Sequence, residues 1–154
     1  MENWTYAGFW WRFLAYGIDF IVLCILGFML TQVVLFASYY PPFAVLISKL
    51  LYYFPFEIRK MLFVWLSLSL LHWLYVTGLQ SSPWHATAGQ KLCKMVITDP
   101  DGKGISFLKA SARHFATIIT NFTCGIGYVM AAFTERHQTL HDDMAGTVVL
   151  RKVD

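Results

Sequence analysis

The sequence predicts an all-α integral membrane helical bundle, with short interfacial helices and a possible small two-stranded pairing outside the bilayer. Three observations predict it. The 154 residues are 57% hydrophobic and only 14% charged, whereas globular chains carry about 25% charge. The apolar residues are gathered into three long blocks, about 9–36, 61–79 and 114–133, rather than spread at the spacing of a soluble core. A polar, lysine-bearing middle, about 81–113, separates the second block from the third. Residues 1–154 read as a single membrane domain.

The first block runs from Phe9 to Phe36. At a helical rise of about 1.5 Å per residue it spans a hydrocarbon core about 30 Å thick. Trp4, Tyr6, Trp10 and Trp11 form an aromatic belt at its edge. The residues before it lack the basic run of a cleavable signal peptide, and the apolar blocks persist far beyond the N-terminus. Arg12 and Asp19 lie seven residues apart inside this block, so a helix puts them on one face, two turns from each other. Arg12 is near enough to the edge to snorkel, and Asp19 is too short to do so. A carboxylate there needs a partner, such as an arginine or a helix N-terminus, or a water cavity.

Tyr39-Tyr40-Pro41-Pro42 breaks the first helix, because proline removes a donor and restricts the residue before it. Phe43 to Phe56 is short, aromatic and interrupted by Lys49, which fits an interfacial helix or a shallow re-entrant piece. Met61 to Leu79 is the second span. Ser67 and Ser69 in its interior can bond back to the carbonyl four residues earlier, and His72 reads either as a packed, hydrogen-bonded residue or as a proton carrier.

In the polar middle, Ser82 or Thr87 caps a short helix. Lys94 to Thr98 has strand composition, Asp99 to Gly104 is a turn, and Ser106 caps the helix carrying Lys109 and Arg113. Lys91, Lys94, Lys103, Lys109 and Arg113 outweigh Asp99 and Asp101, which places this segment in the cytoplasm. The N-terminus is expected there too. The third block is interrupted by Asn121, Thr123, Gly125 and Gly127; it crosses once or bends and returns. Thr147 to Leu150 is strand-like and can pair with Lys94 to Thr98 only if the third block bends or is broken.

The net charge of +3 fits topology, and no dense basic patch points to nucleic acid. Three widely spaced cysteines, Cys24, Cys93 and Cys124, do not make a disulfide framework; Cys24 and Cys124 read as small packing residues. No metal or cofactor site is expected. His141 and Asp142 are adjacent, which on a helix turns their side chains apart, and there is neither a catalytic motif nor a glycine-rich phosphate loop, so the chain reads as a non-enzyme.

Three segments together resemble the RDD family of small membrane proteins. The first is Ala7 to Tyr16 with Ile18-Asp19, in which Arg12 and Asp19 match the family's arginine and aspartate. The second is Thr87-Ala88-Gly89-Gln90-Lys91 followed by Val96, Asp99, Gly102, Ile105 and Ser106. The third is Arg136 to Val149, with Asp142 on the motif's aspartate. Trp11 stands where a second basic residue is common, and Gln90 separates Gly89 from Lys91. The resemblance implies a multi-pass protein of the bacterial inner membrane with a cluster of charged residues. Some members are associated with sodium or lithium tolerance through cation–proton exchange, and others look like partners of larger membrane assemblies.

Two roles follow as expectations. In the first, Arg12, Asp19 and Asp142 form one buried network that fixes packing and seats the C-terminal segment, while aromatic and small residues contact another membrane protein or a second copy. In the second, Asp19 binds Na+ or H+ in turn, with Arg12 beside it and Asp142 or His72 on the route. No inverted repeat of the transporter type is present.

Overall fold

The computed structural model describes residues 3–38, 40–50, 52, 55–122 and 126–153. In chain order the elements are β1 (Trp4–Tyr6), α1 (Phe9–Ser38), α2 (Pro41–Leu50), α3 (Phe56–Ser81), α4 (Ala88–Leu92), β2 (Met95–Thr98), α5 (Phe107–Phe122), α6 (Ile126–Phe133), α7 (Leu140–Met144) and β3 (Val148–Lys152). The helices α1 and α3 are long and apolar enough to cross a membrane. The chain is a multi-pass membrane protein.

The first compact unit contains the residues up to Phe20 and those from Trp73 onward. Its sheet has the order β1-β3-β2, with both pairings antiparallel. The expected pairing of the two strand-like runs is present, with Val96 opposite Leu150 and Thr98 opposite Val148. A third strand joins it, Thr5 facing Arg151. Three residues of alternating aromatic and threonine carry too little local signal to be read as a strand; β1 exists because β3 offers it an edge. Met95, Ile97 and Val149 point inward from the sheet and form the core with Ile105, Ala110 and Ala15.

Helix α4 starts at a capping box: the Gln90 N–H donates to Thr87 Oγ1 at 3.4 Å, and the Thr87 N–H donates to Gln90 Oε1 at 2.9 Å. Ser82 instead stabilises the turn before it, accepting the Trp84 N–H at 3.2 Å. Gly102 takes a positive φ of 79° in the turn after β2. Ser106 caps α5 by accepting the Lys109 N–H at 3.3 Å, so this helix begins at Phe107, before the apolar block proper. α5 and α6 are bent by 98° relative to each other, so the third block is not one straight helix. Thr123, Cys124 and Gly125 lie outside the described residues, as does Tyr39.

The second compact unit is Ile21–His72. There α1 and α3 approach closely at Gly27, where a Cβ would stand 3.1 Å from Leu68 Cδ2. Thr31 and Ser67 bond back to the Gly27 and Phe63 carbonyls, each at 2.8 Å. The prolines open α2 rather than merely ending α1, since a first-turn residue needs no N–H. Arg59 donates to the Ser48 carbonyl at 3.4 Å. Cys24 is exposed on α1 rather than packed, and Cys93 is buried.

Candidate functional site

Two carboxylates are buried in the first unit, and each collects its own donors. Asp142 sits on α7, which is brought into the unit by packing against α5 and α6. Its side chain is 0% exposed. Arg12 on α1 donates through Nη1 to Asp142 Oδ2, and through Nε to the Ala7 carbonyl at 2.9 Å. Arg113 on α5 reaches Asp142 Oδ1 with Nε at 2.8 Å and Nη2 at 2.6 Å. Its remaining arm, Nη1, donates to Gln80 Oε1 of α3 at 3.1 Å. The Thr139 N–H adds a donor to Oδ2 at 3.2 Å. One carboxylate thus joins α1, α5 and α7, and Gln80 extends the network to α3.

Burial by itself pushes the Asp142 carboxyl up. Arg113 and then Arg12, with a smaller contribution from His141, reverse this and hold it well below the usual carboxylate range. His141 has the opposite fate. Burial and the Arg113 charge push its pKa down to about 3, against the pull of Asp142. Its imidazole is therefore neutral at pH 7, with Nε2 3.0 Å from Thr139 Oγ1 and its ring edge-on to Tyr128.

Asp19 forms the second cluster. Tyr75 of α3 donates its hydroxyl to Asp19 Oδ1 at 2.7 Å, and the Gly89 N–H donates to the same oxygen at 2.8 Å. The Thr87 hydroxyl donates to Oδ2 at 2.5 Å. Tyr75 also accepts the Ala88 N–H at 3.3 Å. The carboxylate therefore closes the first turn of α4, where free N–H groups and the helix dipole favour an anion. Gly89 is required for this approach, because a Cβ there would overlap the Ala15 carbonyl and stand 2.9 Å from Asp19 Cγ.

The expected single network of Arg12, Asp19 and Asp142 is therefore two. Arg12 turns toward Asp142, and Asp19 bonds to a helix N-terminus and two hydroxyls. Sharing a helix face does not make them partners, because two turns separate them by about 10 Å along the axis. His72 lies on α3 in the second unit, on an exposed face. The side chains around Asp142 are instead Arg12, Arg113 and His141. Arg113, Gln80, Tyr75 and Thr87 were not singled out from sequence as members. Arg113 had a signal: it stands immediately before the third apolar block, which opens at His114-Phe115, so a charge there also needs a partner.

Two guanidiniums meet one carboxylate at Asp142, and Asp19 supplies the second negative charge within the same unit. The two carboxylates are thus held differently, Asp142 by charged donors and Asp19 by neutral ones. Among the described residues no group of three or more His, Cys, Asp or Glu is placed to hold a metal ion. The chain is an integral membrane module built on a buried Arg/Asp network with a histidine at its edge.

A profile described as the RDD family matches residues 6–146. An uncharacterized protein of Bacillus subtilis strain 168, YxaI, is 29% identical over 150 residues, covering 95% of this chain and 97% of its own length. No solved structure matches the chain.

Proposed function

We propose a structural and partner-binding role for this chain, which belongs to the RDD family. The observation that carries the reading is the saturation of both carboxylates. Asp142 takes two arginines and a backbone N–H, and Asp19 takes two hydroxyls and a backbone N–H. These donors tie α1 to α4, α5 and α7 and exclude alternative packings, which is the best-attested use of a buried ionic group. Arg12, Asp19 and Asp142 serve as packing residues, and His72 has no part in an ion route.

The exposed aromatic and aliphatic side chains of α1 and α3 would then meet lipid, a second copy of the chain, or another membrane protein. The chain acts as one domain. It resides in the bacterial inner membrane, with its N-terminus and sheet in the cytoplasm. In support of that orientation, Lys91, Lys94, Lys103, Lys109, Arg136, Arg151 and Lys152 belong to the sheet-bearing part of the chain, outnumbering Lys49 on α2 and Arg59 and Lys60 at the start of α3.

Cation–proton exchange is the competing reading. A cation at Asp19 would have to displace the Gly89 N–H, which offers hydrogen rather than a lone pair. The test is reconstitution in vesicles under an imposed sodium or proton gradient. The structural reading expects no flux from the wild type, and loss of monodispersity on Asp19→Asn. Sodium-coupled proton flux abolished by Asp19→Asn, in a variant that stays folded, would overturn it.

A further inference from the structure

We propose that α5 and α6 form a one-sided insertion, entering the leaflet that faces the sheet and returning to the same side without crossing the bilayer. The occupant of their outward face is the acyl-chain layer of that leaflet. The inference needs only that the chain is a membrane protein; it stands whether the carboxylate clusters serve packing or transport.

The sheet supplies the first argument. The segment leaves after β2 and comes back before β3, and these strands are hydrogen-bonded neighbours from Met95 opposite Arg151 to Thr98 opposite Val148. Both ends of the segment therefore lie on one side. A single crossing is excluded, and a full outward and return passage would need two membrane-length helices. Length supplies the second argument. α6 has 8 residues, about 12 Å of helix, against a hydrocarbon core of about 30 Å. It cannot bring the chain back from the far side.

The faces of α5 supply the third argument. Ala110, Arg113, Ala116 and Thr120 are buried against the unit. Leu108 and Phe122 are 80% and 82% exposed, with Phe115 and Ile119 between them on the same side. Phe133 at the end of α6 is 85% exposed. A helix with arginine inside and leucine and phenylalanine outside is arranged for hydrocarbon. The polar boundary is marked at both ends: Lys103 and Lys109 stand at the start, and Arg136 follows α6, as basic residues do at an anionic headgroup layer.

The test uses a chain with Cys24, Cys93 and Cys124 replaced, carrying Asp101→Cys or Glu135→Cys, in sealed vesicles of known orientation. A membrane-impermeant maleimide is expected to label both positions from the same side. Labelling from opposite sides would overturn the proposal. Spin labels at Leu108→Cys, Phe122→Cys and Phe133→Cys give a second readout through their accessibility to oxygen and to a water-soluble nickel complex. Labels at positions 108 and 133 should lie shallow, near one interface, with position 122 deeper. A Phe133 label reached by nickel only from the face opposite the sheet would sink the one-sided arrangement, whatever the role of Asp19.

Discussion

The Asp19 carboxylate accepts the backbone N–H of Gly89 at 2.8 Å, seventy positions away in sequence. A side chain on the opening helix thereby completes the first turn of another. Because Gly89 lies against the Ala15 carbonyl, the bond and the close backbone approach are one feature.

Gly89→Ala should therefore destabilise the fold, although alanine is by propensity worth about 1 kcal/mol more than glycine inside a helix. The added methyl meets backbone on one side and the carboxylate on the other, and overpacking of this kind costs about 1–3 kcal/mol. Thermal unfolding in detergent, followed by size-exclusion chromatography, should show a lower midpoint. An unchanged or raised midpoint would mean that α4 is not seated against α1.

Asp19→Asn keeps the shape and removes the charge. Three charge-assisted hydrogen bonds weaken together, and bonds of this class contribute about 1.5–3 kcal/mol each at most. Tyr75→Phe removes one donor to the same carboxylate and should cost less, near 1 kcal/mol. The two effects should be less than additive, since both act on Asp19. Strict additivity in a double-mutant cycle would contradict the shared cluster.

Asp142→Asn should be the most damaging of the conservative changes. It leaves two guanidiniums without a counter-charge in a fully buried place, a loss of about 3–5 kcal/mol. Pairing it with Arg113→Gln should recover part of the loss by removing one of the stranded charges. If the double variant is no more stable than Asp142→Asn alone, Arg113 does not depend on Asp142.

Stability should fall on acidification in two overlapping windows. His141 has a folded pKa of about 3 against an ordinary 6.5. The unfolded chain therefore takes up the proton first, and stability declines as the pH drops from about 6.5 toward 3. Between pH 7 and 5 this amounts to about 2 kcal/mol. Asp142, held below the usual carboxylate range, adds a further loss beginning near pH 4, where an unfolded aspartate protonates. His141→Gln should flatten the profile above pH 5 and leave the lower limb. A wild-type profile that is flat from pH 7 to 5 would show that His141 is not buried in neutral form.

Much of the local structure is legible in the sequence. Thr87 and Ser106 stand as caps before helices, Asp99 to Gly104 turns the chain, and the runs at 94–98 and 147–150 have the composition of strands. These signals act over a few residues and survive in any context. Asp19 as a carboxylate in need of a helix N-terminus or an arginine was also legible, because burying a charge makes a partner obligatory. Which partner it takes was not, since Thr87 and Gly89 are remote in sequence and carry no mark of their destination.

The sequence by itself determined that this chain crosses a membrane, where its long helices run, and that Arg12 and Asp19 need company. Hydropathy and proline placement are one-dimensional properties and suffice for that. Only the tertiary structure decided that Arg12 pairs with Asp142 while Asp19 turns to α4, that Arg113 supplies the second guanidinium, and that β1 completes the sheet. Those choices depend on which helix faces pack together, and packing is fixed by the fit of distant surfaces rather than by the spacing of residues along one segment.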